Sequence, residues 1–189
     1  MALKPLATAV AFVVAIFANL PAHAAWDVRV VHEAGFAVNM PTEPKVVQGE
    51  YRTGLLGRVP ASIYSSADRG VNFSVTVVDV SKNLMESASI LQETIYIRTR
   101  DLNIITDSLS RSEPGRAAVY GRRITEDTAE GGRRVSALYL TKGKLYIFEV
   151  NIPAGGDKGT PMSGRFIDSV EFNVDRDRET AGAPGAPAP

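Results

Sequence analysis

The run that decides the fold is Val71-Asn72-Phe73-Ser74-Val75-Thr76-Val77-Val78-Asp79-Val80. It is dense in β-branched residues and contains one aromatic, and such residues are enriched in strands because they pack well on a pleated surface. The run therefore predicts a central strand of a sheet. The four residues before it, Ala67-Asp68-Arg69-Gly70, predict the turn that joins it to a preceding strand.

Outward from this run, most of the chain also has the pattern of strands. Phe36, Val38 and Met40 alternate with smaller or polar residues, which is typical of a half-buried strand. Lys142-Gly143 predicts a tight turn between the last two long strands. The predicted strands are residues 35–40, 45–51, 60–66, 71–80, 117–125, 134–141, 144–152 and 169–173.

Two segments have a helical pattern instead. Residues 83–100 are predicted as a helix because apolar residues recur there at helical spacing. This predicted apolar face consists of Leu84, Ala88, Leu91, Ile95 and Leu102. Thr160-Pro161 resembles an N-cap followed by proline at the first helical position, and it predicts a short helix at 161–168. Because regular helices do not alternate with the strands, we expect an α+β fold, in which about 6–8 antiparallel strands form a twisted sheet with two helices packed on it.

The N-terminus has the pattern of a secretory signal peptide. Lys4 supplies a positive charge, residues 6–20 form an apolar run, and Ala22-His23-Ala24 is an A-x-A cleavage site. A retained anchor is the alternative, but the run is shorter than the roughly 20 residues that a membrane-spanning helix needs. We therefore expect cleavage between Ala24 and Ala25 and a protein of the periplasm or extracellular space, with no stable membrane insertion afterwards.

The remaining chain divides into three predicted parts. Residues 25–34 are an N-terminal extension, residues 35–174 a single domain, and residues 175–189 a disordered tail rich in alanine, glycine and proline. A proline-rich docking motif is the alternative for the tail. Without Lys4 the chain carries 20 basic and 21 acidic side chains. This balance gives no reason to expect a nucleic acid as partner.

Three motifs indicate a family resemblance. Phe36-Ala37-Val38-Asn39-Met40-Pro41-Thr42-Glu43-Pro44 resembles the F-x-V-x-F-P-x-x-P opening of PsbP/Mog-like domains in exported bacterial proteins, with Met40 in place of the usual aromatic residue. Residues 73–79 are similar to that group's Y-S-V-x-V-x-D run, and residues 166–172 to its F-L-x-S-F-x-L ending. The resemblance covers residues 35–174. It implies the α+β fold and a binding or accessory role, with no shared catalytic residues.

Few side chains are suited to catalysis or metal binding. The chain has no cysteine, and His32 is its only histidine after residue 24. Zinc sites use three or four His, Cys or carboxylate ligands, so no zinc site, other cofactor or catalytic residue is predicted. Glu126, Asp127 and Glu130 lack the spacing of a calcium loop and predict a solvated hairpin tip. Residues 155–160 lack the order of a phosphate loop and predict a flexible turn.

Four arginines are the candidate binding site. Arg122 and Arg123 lie on one arm of a predicted hairpin, and Arg133 and Arg134 on the other. If the arms pair about residues 128–129, Arg123 faces Arg134, which is unfavourable unless an anion lies between them. Either the acidic residues of the hairpin neutralise the arginines, or the arginines bind the carboxylates or phosphates of an acidic partner.

The sequence thus predicts a non-enzymatic, exported binding or accessory protein whose partner is another envelope protein. Two other functions stay open at this point. A small-ligand carrier would need a pocket between helix and sheet. An envelope enzyme would need two carboxylates with perturbed pKa values in one cleft.

Overall fold

A computed structural model of the chain describes residues 26–83, 86–100, 103–112, 118–172 and 174. The predicted signal peptide and the predicted tail at 175–189 lie outside the described residues. The strands in chain order are β1 (Asp27–Val31), β2 (Phe36–Met40), β3 (Lys45–Thr53), β4 (Gly57–Asp68), β5 (Val71–Asp79), β6 (Asn103–Arg111), β7 (Tyr120–Asp127), β8 (Arg133–Thr141), β9 (Lys144–Ile152) and β10 (Glu171–Phe172). The helices are α1 (Ser87–Thr99) and α2 (Met162–Ile167), with a 3-10 turn at Ser81–Asn83.

The strands form two antiparallel sheets. The large sheet has seven strands in the order β3-β4-β5-β9-β8-β7-β6, so the strand at 71–79 is an inner one. The small sheet has the order β1-β2-β10. A seven-stranded antiparallel sheet with two helices confirms the predicted α+β fold.

Two tight turns connect long neighbouring strands as predicted. Arg69 and Gly70, between β4 and β5, have φ values of 48° and 78°. Lys142 and Gly143, between β8 and β9, have φ values of 50° and 70°. Positive φ at both central residues matches the right-handed twist of the flanking strands, and glycine adopts it without steric cost.

One face of the large sheet, which we call the aromatic face, packs against the small sheet and α2. Phe148 lies at its centre and is fully buried, with its ring 5.7 Å from that of Phe36 and 6.1 Å from that of Phe166. The hydroxyl of Tyr146 donates to the carbonyl of Ala34 at 2.8 Å, and burial raises the pKa of this tyrosine to about 12. The small sheet thus closes an apolar core with ring-to-ring contacts.

The opposite face, which we call the helical face, is covered by α1. Ile90 is fully buried there, and Leu91 and Ile95 pack beside it against side chains of β4, β5, β8 and β9. Thr94 is also buried, so the inward side of the helix is centred on Ile90 and Thr94.

The helix differs from its prediction in both length and orientation. It begins at Ser87 rather than at residue 83, and Ala88, which the sequence pattern predicts on the inward face, is exposed. Leu84 and Leu102 lie outside the described residues. The observed inward face differs from the predicted one because it includes the polar Thr94. A prediction from apolar residues alone does not include polar positions.

Two strands, β1 and β6, were missed by the sequence patterns. Strand β1 lies in the stretch assigned as an N-terminal extension, and it pairs along the whole of β2. None of the nine residues of β6 is buried. An edge strand exposed on both faces lacks the apolar alternation that reveals a half-buried strand.

Candidate functional site

Charged side chains gather on the helical face beside the C-terminal end of α1. Arg98 comes from α1, Glu126 from β7, Arg134 from β8, and Glu149 and Asn151 from β9. Side chains alternate between faces along a strand, so Glu149 lies on the same face as Leu145 and Ile147 of the apolar core. We call these five residues the ionic cluster.

Glu149 is the centre of the ionic cluster. Its carboxylate accepts a hydrogen bond from Nη1 of Arg98 and another from Nδ2 of Asn151 at 2.8 Å. Nε of Arg134 lies 3.9 Å from the same carboxylate. Burial alone would raise the pKa of Glu149, but the charge and hydrogen bond of Arg98, with the other two neighbours, outweigh it and lower the pKa.

Glu126 is the less exposed of the two carboxylates, with 3% of its surface exposed. Nη1 of Arg134 lies 3.0 Å from its Oε1. Burial is the largest influence and raises the pKa of Glu126, while the positive charges of Arg134 and Arg98 offset part of the rise. Nε of Arg134 also donates to Oδ1 of Asn151 at 3.2 Å, so Arg134 connects the two carboxylates.

Two carboxyl groups with pKa values displaced in opposite directions are what acid–base enzymes use. In the ionic cluster, however, each carboxylate is bound by an arginine of the same chain. The hollow between α1 and β8 is open to solvent and is lined by Ala88, Ser89, Leu91, Gln92 and Leu140, none of which belongs to the ionic cluster. The arrangement is therefore suited to fixing the end of α1 on the sheet, and it does not present a carboxylate to that hollow.

The predicted pairing of Arg123 with Arg134 is wrong. Arg123 lies opposite Ala137, and Arg134 lies opposite Glu126. The reversal is a five-residue loop, in which the N–H of Thr128 bonds to the carbonyl of Gly132 at 3.1 Å. Gly131 has a φ of 85° in this loop. The glycines thus move the centre of the hairpin from residues 128–129 to Glu130, and opposite charges face each other across the ladder.

The four candidate arginines do not converge on one surface. Arg122 and Arg134 lie on the helical face, and Arg123 and Arg133 on the aromatic face, as alternation along β7 and β8 requires. Each also has an acidic partner in the chain. The pairs are Arg122 with Asp107 (Nη2 to Oδ2, 2.8 Å), Arg123 with Asp168 (2.6 Å), Arg133 with Asp127 (3.0 Å) and Arg134 with Glu126 (3.0 Å).

The glycine-containing segment before α2 forms a local turn. The N–H of Gly159 donates to the side chain of Asp157 at 2.9 Å, and the N–H of Thr160 donates to the carbonyl of Asp157 at 3.1 Å. Lys158 points to Asp127, with its Nζ at 3.3 Å. The N–H groups of Gly159 and Thr160 are therefore used within the turn.

Neither edge of the large sheet is covered by another strand among the described residues. On β3, Val46 and Val47 are 50% and 57% exposed, and Ile63 of the neighbouring β4 is 37% exposed. On β6, Leu109 is 80% exposed. Edge strands carry unpaired main-chain groups, and exposed apolar side chains along them are typical of surfaces that pair with another chain.

Two absences concern the described part of the chain. In that part of the chain, no three or more histidine, cysteine or acidic side chains are grouped so as to hold a metal ion. No helix there is both long enough and apolar enough to span a membrane.

Comparison with known proteins gives a structural likeness. No family model matches the chain, and no curated protein matches it in sequence. Seventeen chains of solved structures are similar to it. One is the solution structure of cyanobacterial PsbP (CyanoP) from Synechocystis sp. PCC 6803, with a TM-score of 0.48 and 13% sequence identity. The likeness covers 79% of this chain and 93% of that chain.

Proposed function

We propose that this chain is an exported, non-enzymatic accessory protein that holds another protein of the cell envelope. The leader pattern at residues 1–24 supports export to the periplasm or beyond. The observation that carries the binding role is the β3 edge of the large sheet, which no other described strand covers.

Strand β3 offers a partner both main-chain and side-chain contacts. It is nine residues long, and within the described part of the chain it pairs with β4 alone. Val46 and Val47 are at least half exposed and point to opposite faces of the sheet. An extended segment of the partner would add as an eighth strand, with main-chain hydrogen bonds giving affinity and the two valines giving specificity.

The two alternative functions have less support. A carboxylate-dependent enzyme needs a carboxylate free to act on a substrate, whereas arginines bind both carboxylates of the ionic cluster. A carrier needs an enclosed apolar pocket to bury its ligand. The hollow between α1 and β8 lies in the expected place, but it is open and partly lined by the polar Ser89 and Gln92.

An acidic partner that binds the arginines is also part of this proposal, and one face of the sheet offers it Arg122 and Arg134 while the other offers Arg123 and Arg133. Because each arginine already has an acidic partner, the bound protein would compete with Asp107, Asp127 or Asp168 for the guanidinium groups. The arginines would then tune affinity, and the β3 edge would supply most of it.

The test uses cells that express the full-length gene with an affinity tag. Proteins are crosslinked in the intact cells, and the tagged protein is then purified together with whatever is crosslinked to it. We expect the wild type to capture a specific envelope protein. Val47→Asp should reduce the amount captured about tenfold, because a carboxylate buried at the pairing edge is costly. Ile97→Asp is the matched control, since Ile97 is a β-branched residue of α1 with 46% exposure. Equal capture by all three proteins would contradict the β3 edge as the docking surface. Purified protein that does not begin at Ala25 would contradict export with cleavage.

A further inference from the structure

Strand β6, at the other edge of the large sheet, has the most exposed large apolar side chain among the described residues. Leu109 lies at 80% exposure, near the middle of the C-terminal half of the strand. Among the described residues this strand pairs only with β7, and beyond the irregularity in register between Ile104 and Thr106 it has no proline or lysine to discourage further pairing. A second chain could therefore add to this edge without displacing any strand.

The side chains of β6 alternate between the two faces of the sheet. Asp107 and Leu109 lie on the helical face, because they are opposite Ile124 and Arg122 of β7. Arg111 follows on the same face. Ser108 and Ser110 lie on the aromatic face, where Ser110 Oγ is 2.7 Å from the hydroxyl of the buried Tyr139.

We propose that β6 pairs with β6 of a second copy of this chain, antiparallel and about a two-fold axis at Leu109. Leu109 then lies opposite Leu109 of the other copy. Asp107 lies opposite Arg111, and Ser108 lies opposite Ser110, each pair occurring twice. The two seven-stranded sheets become one continuous sheet of 14 strands.

Charge complementarity selects this register. Directly opposite residues of antiparallel strands point to the same face of the sheet. A two-fold axis normal to the sheet therefore has to pass through a residue, because an axis between two residues would set side chains of opposite faces against each other. An axis at Asp107 would oppose two carboxylates, and an axis at Arg111 two guanidinium groups. An axis at Ser108 or Ser110 would set Leu109 against a charge. Of the axes through residues 107–111, only the one at Leu109 pairs opposite charges and apolar with apolar side chains.

The two charged residues are available for this pairing. Asp107 is held in place by Arg122 of its own chain, and a carboxylate can accept hydrogen bonds from two arginines. Arg111 is exposed, and within the described part of the chain it has no acidic partner. A second copy would offer it the carboxylate of Asp107.

This inference goes beyond the proposed function and uses a different edge. Pairing through β6 leaves β3 uncovered, so a dimer would present two β3 edges to partner proteins. The pairing involves few residues on each side. The dimer is therefore expected to be reversible and to depend on protein concentration.

The first test is sedimentation velocity over a wide concentration series, with protein purified from the full-length gene product. We expect the wild type to dimerise. We expect Leu109→Asp and Arg111→Glu each to weaken the dimer by about tenfold or more, because both place like charges near the axis. Val47→Asp is the matched control on the opposite edge and should dimerise like the wild type. Circular dichroism melts at a concentration where the wild type is monomeric should be similar for all four, because the three positions are exposed.

A second test reads the register directly, because the chain contains no cysteine. Under mild oxidation, Leu109→Cys should form a disulfide-linked dimer by itself. Ser108→Cys should crosslink efficiently only when mixed with Ser110→Cys, since each lies opposite the other.

Three results would overturn the inference. They are a wild type that stays monomeric at all concentrations, equal weakening by Val47→Asp and Leu109→Asp, or dimers in which Leu109→Cys does not crosslink. The proposed function fails separately, because it depends on capture of a partner through Val47.

Discussion

The two faces of the large sheet exclude water in different ways. The aromatic face is closed by a second sheet and a helix, and its core includes seven phenylalanine or tyrosine side chains with 3% exposure or less, namely Phe36, Tyr64, Phe73, Tyr139, Tyr146, Phe148 and Phe166. The helical face is closed by α1 over only part of its area. Beside the apolar contacts of α1, this face carries the ionic cluster, in which Arg98 pairs with Glu149 and Arg134 pairs with Glu126.

The two faces should contribute differently to the free energy of folding. Apolar burial contributes about 25 cal/mol per Å² removed from water. Burying a charged pair costs desolvation that the attraction only partly repays, so removing one partner is more harmful than replacing both. We therefore expect the aromatic face to provide most of the free energy of folding, and the ionic cluster to fix the position of α1.

The largest expected effect is on the aromatic face. Phe148→Ala should lower the free energy of unfolding by about 3–5 kcal/mol, because it leaves a cavity among rings that cannot all move inward. Urea denaturation followed by circular dichroism measures the change. Tyr96→Ala is the control, since Tyr96 is 64% exposed on α1 and should change stability by about 0.5 kcal/mol or less. A loss below about 1 kcal/mol for Phe148→Ala would mean that this core is loosely packed.

The second effect compares the two carboxylates of the ionic cluster. Glu149→Gln should lower the free energy of unfolding by about 2 kcal/mol near pH 7, because Arg98 and Arg134 lose their shared counter-charge. Glu126→Gln should cost less, since the ionised form of Glu126 is itself disfavoured by burial.

The loss of stability relative to the wild type should change with pH in opposite directions for these two variants. The pKa of Glu149 is below its ordinary value of 4.5, so its contribution is present above pH 4.5 and is lost as the pH falls through the folded pKa. The pKa of Glu126 is above 4.5, so the wild type loses stability as the pH rises from 4.5 through the folded pKa. The deficit of Glu149→Gln should thus grow with rising pH, and that of Glu126→Gln should shrink. Urea denaturation from about pH 3 to about pH 8 measures both, and parallel slopes would contradict this assignment of charges.

The fold was largely predictable because burial leaves a period in the sequence. The strand at 71–80 and the turns at Gly70 and Gly143 follow from local chemistry alone, and all are present. Strand β6 was not predictable, since a strand with no buried residue has no apolar period. The inward face of α1 was displaced for a related reason, because Thr94 and Arg98 continue it with polar side chains.

The candidate site was less predictable than the fold. The four arginines were found from their charge, but their partners depend on register, and register depends on how many residues the loop at 128–132 contains. Glu149 had no signal at all in the sequence, since its neighbours Arg98 and Arg134 come from other elements. Glu126 and Arg134 both belong to the predicted hairpin, but a hairpin centred on residues 128–129 does not set them opposite each other.

The smallest expected effect separates stability from binding at the arginines. Arg123→Ala removes a pair whose acidic member, Asp168, is 64% exposed, and such pairs contribute about 0–1 kcal/mol. Arg134→Ala should cost more, because it leaves Glu126 buried without its partner. If an acidic partner uses the arginines, Arg123→Ala should reduce capture in intact cells while leaving the denaturation curve nearly unchanged. If capture is unchanged both in Arg123→Ala and in the double variant that also carries Arg134→Ala, these two arginines are not part of the binding surface. The binding role would then rest on the β3 edge.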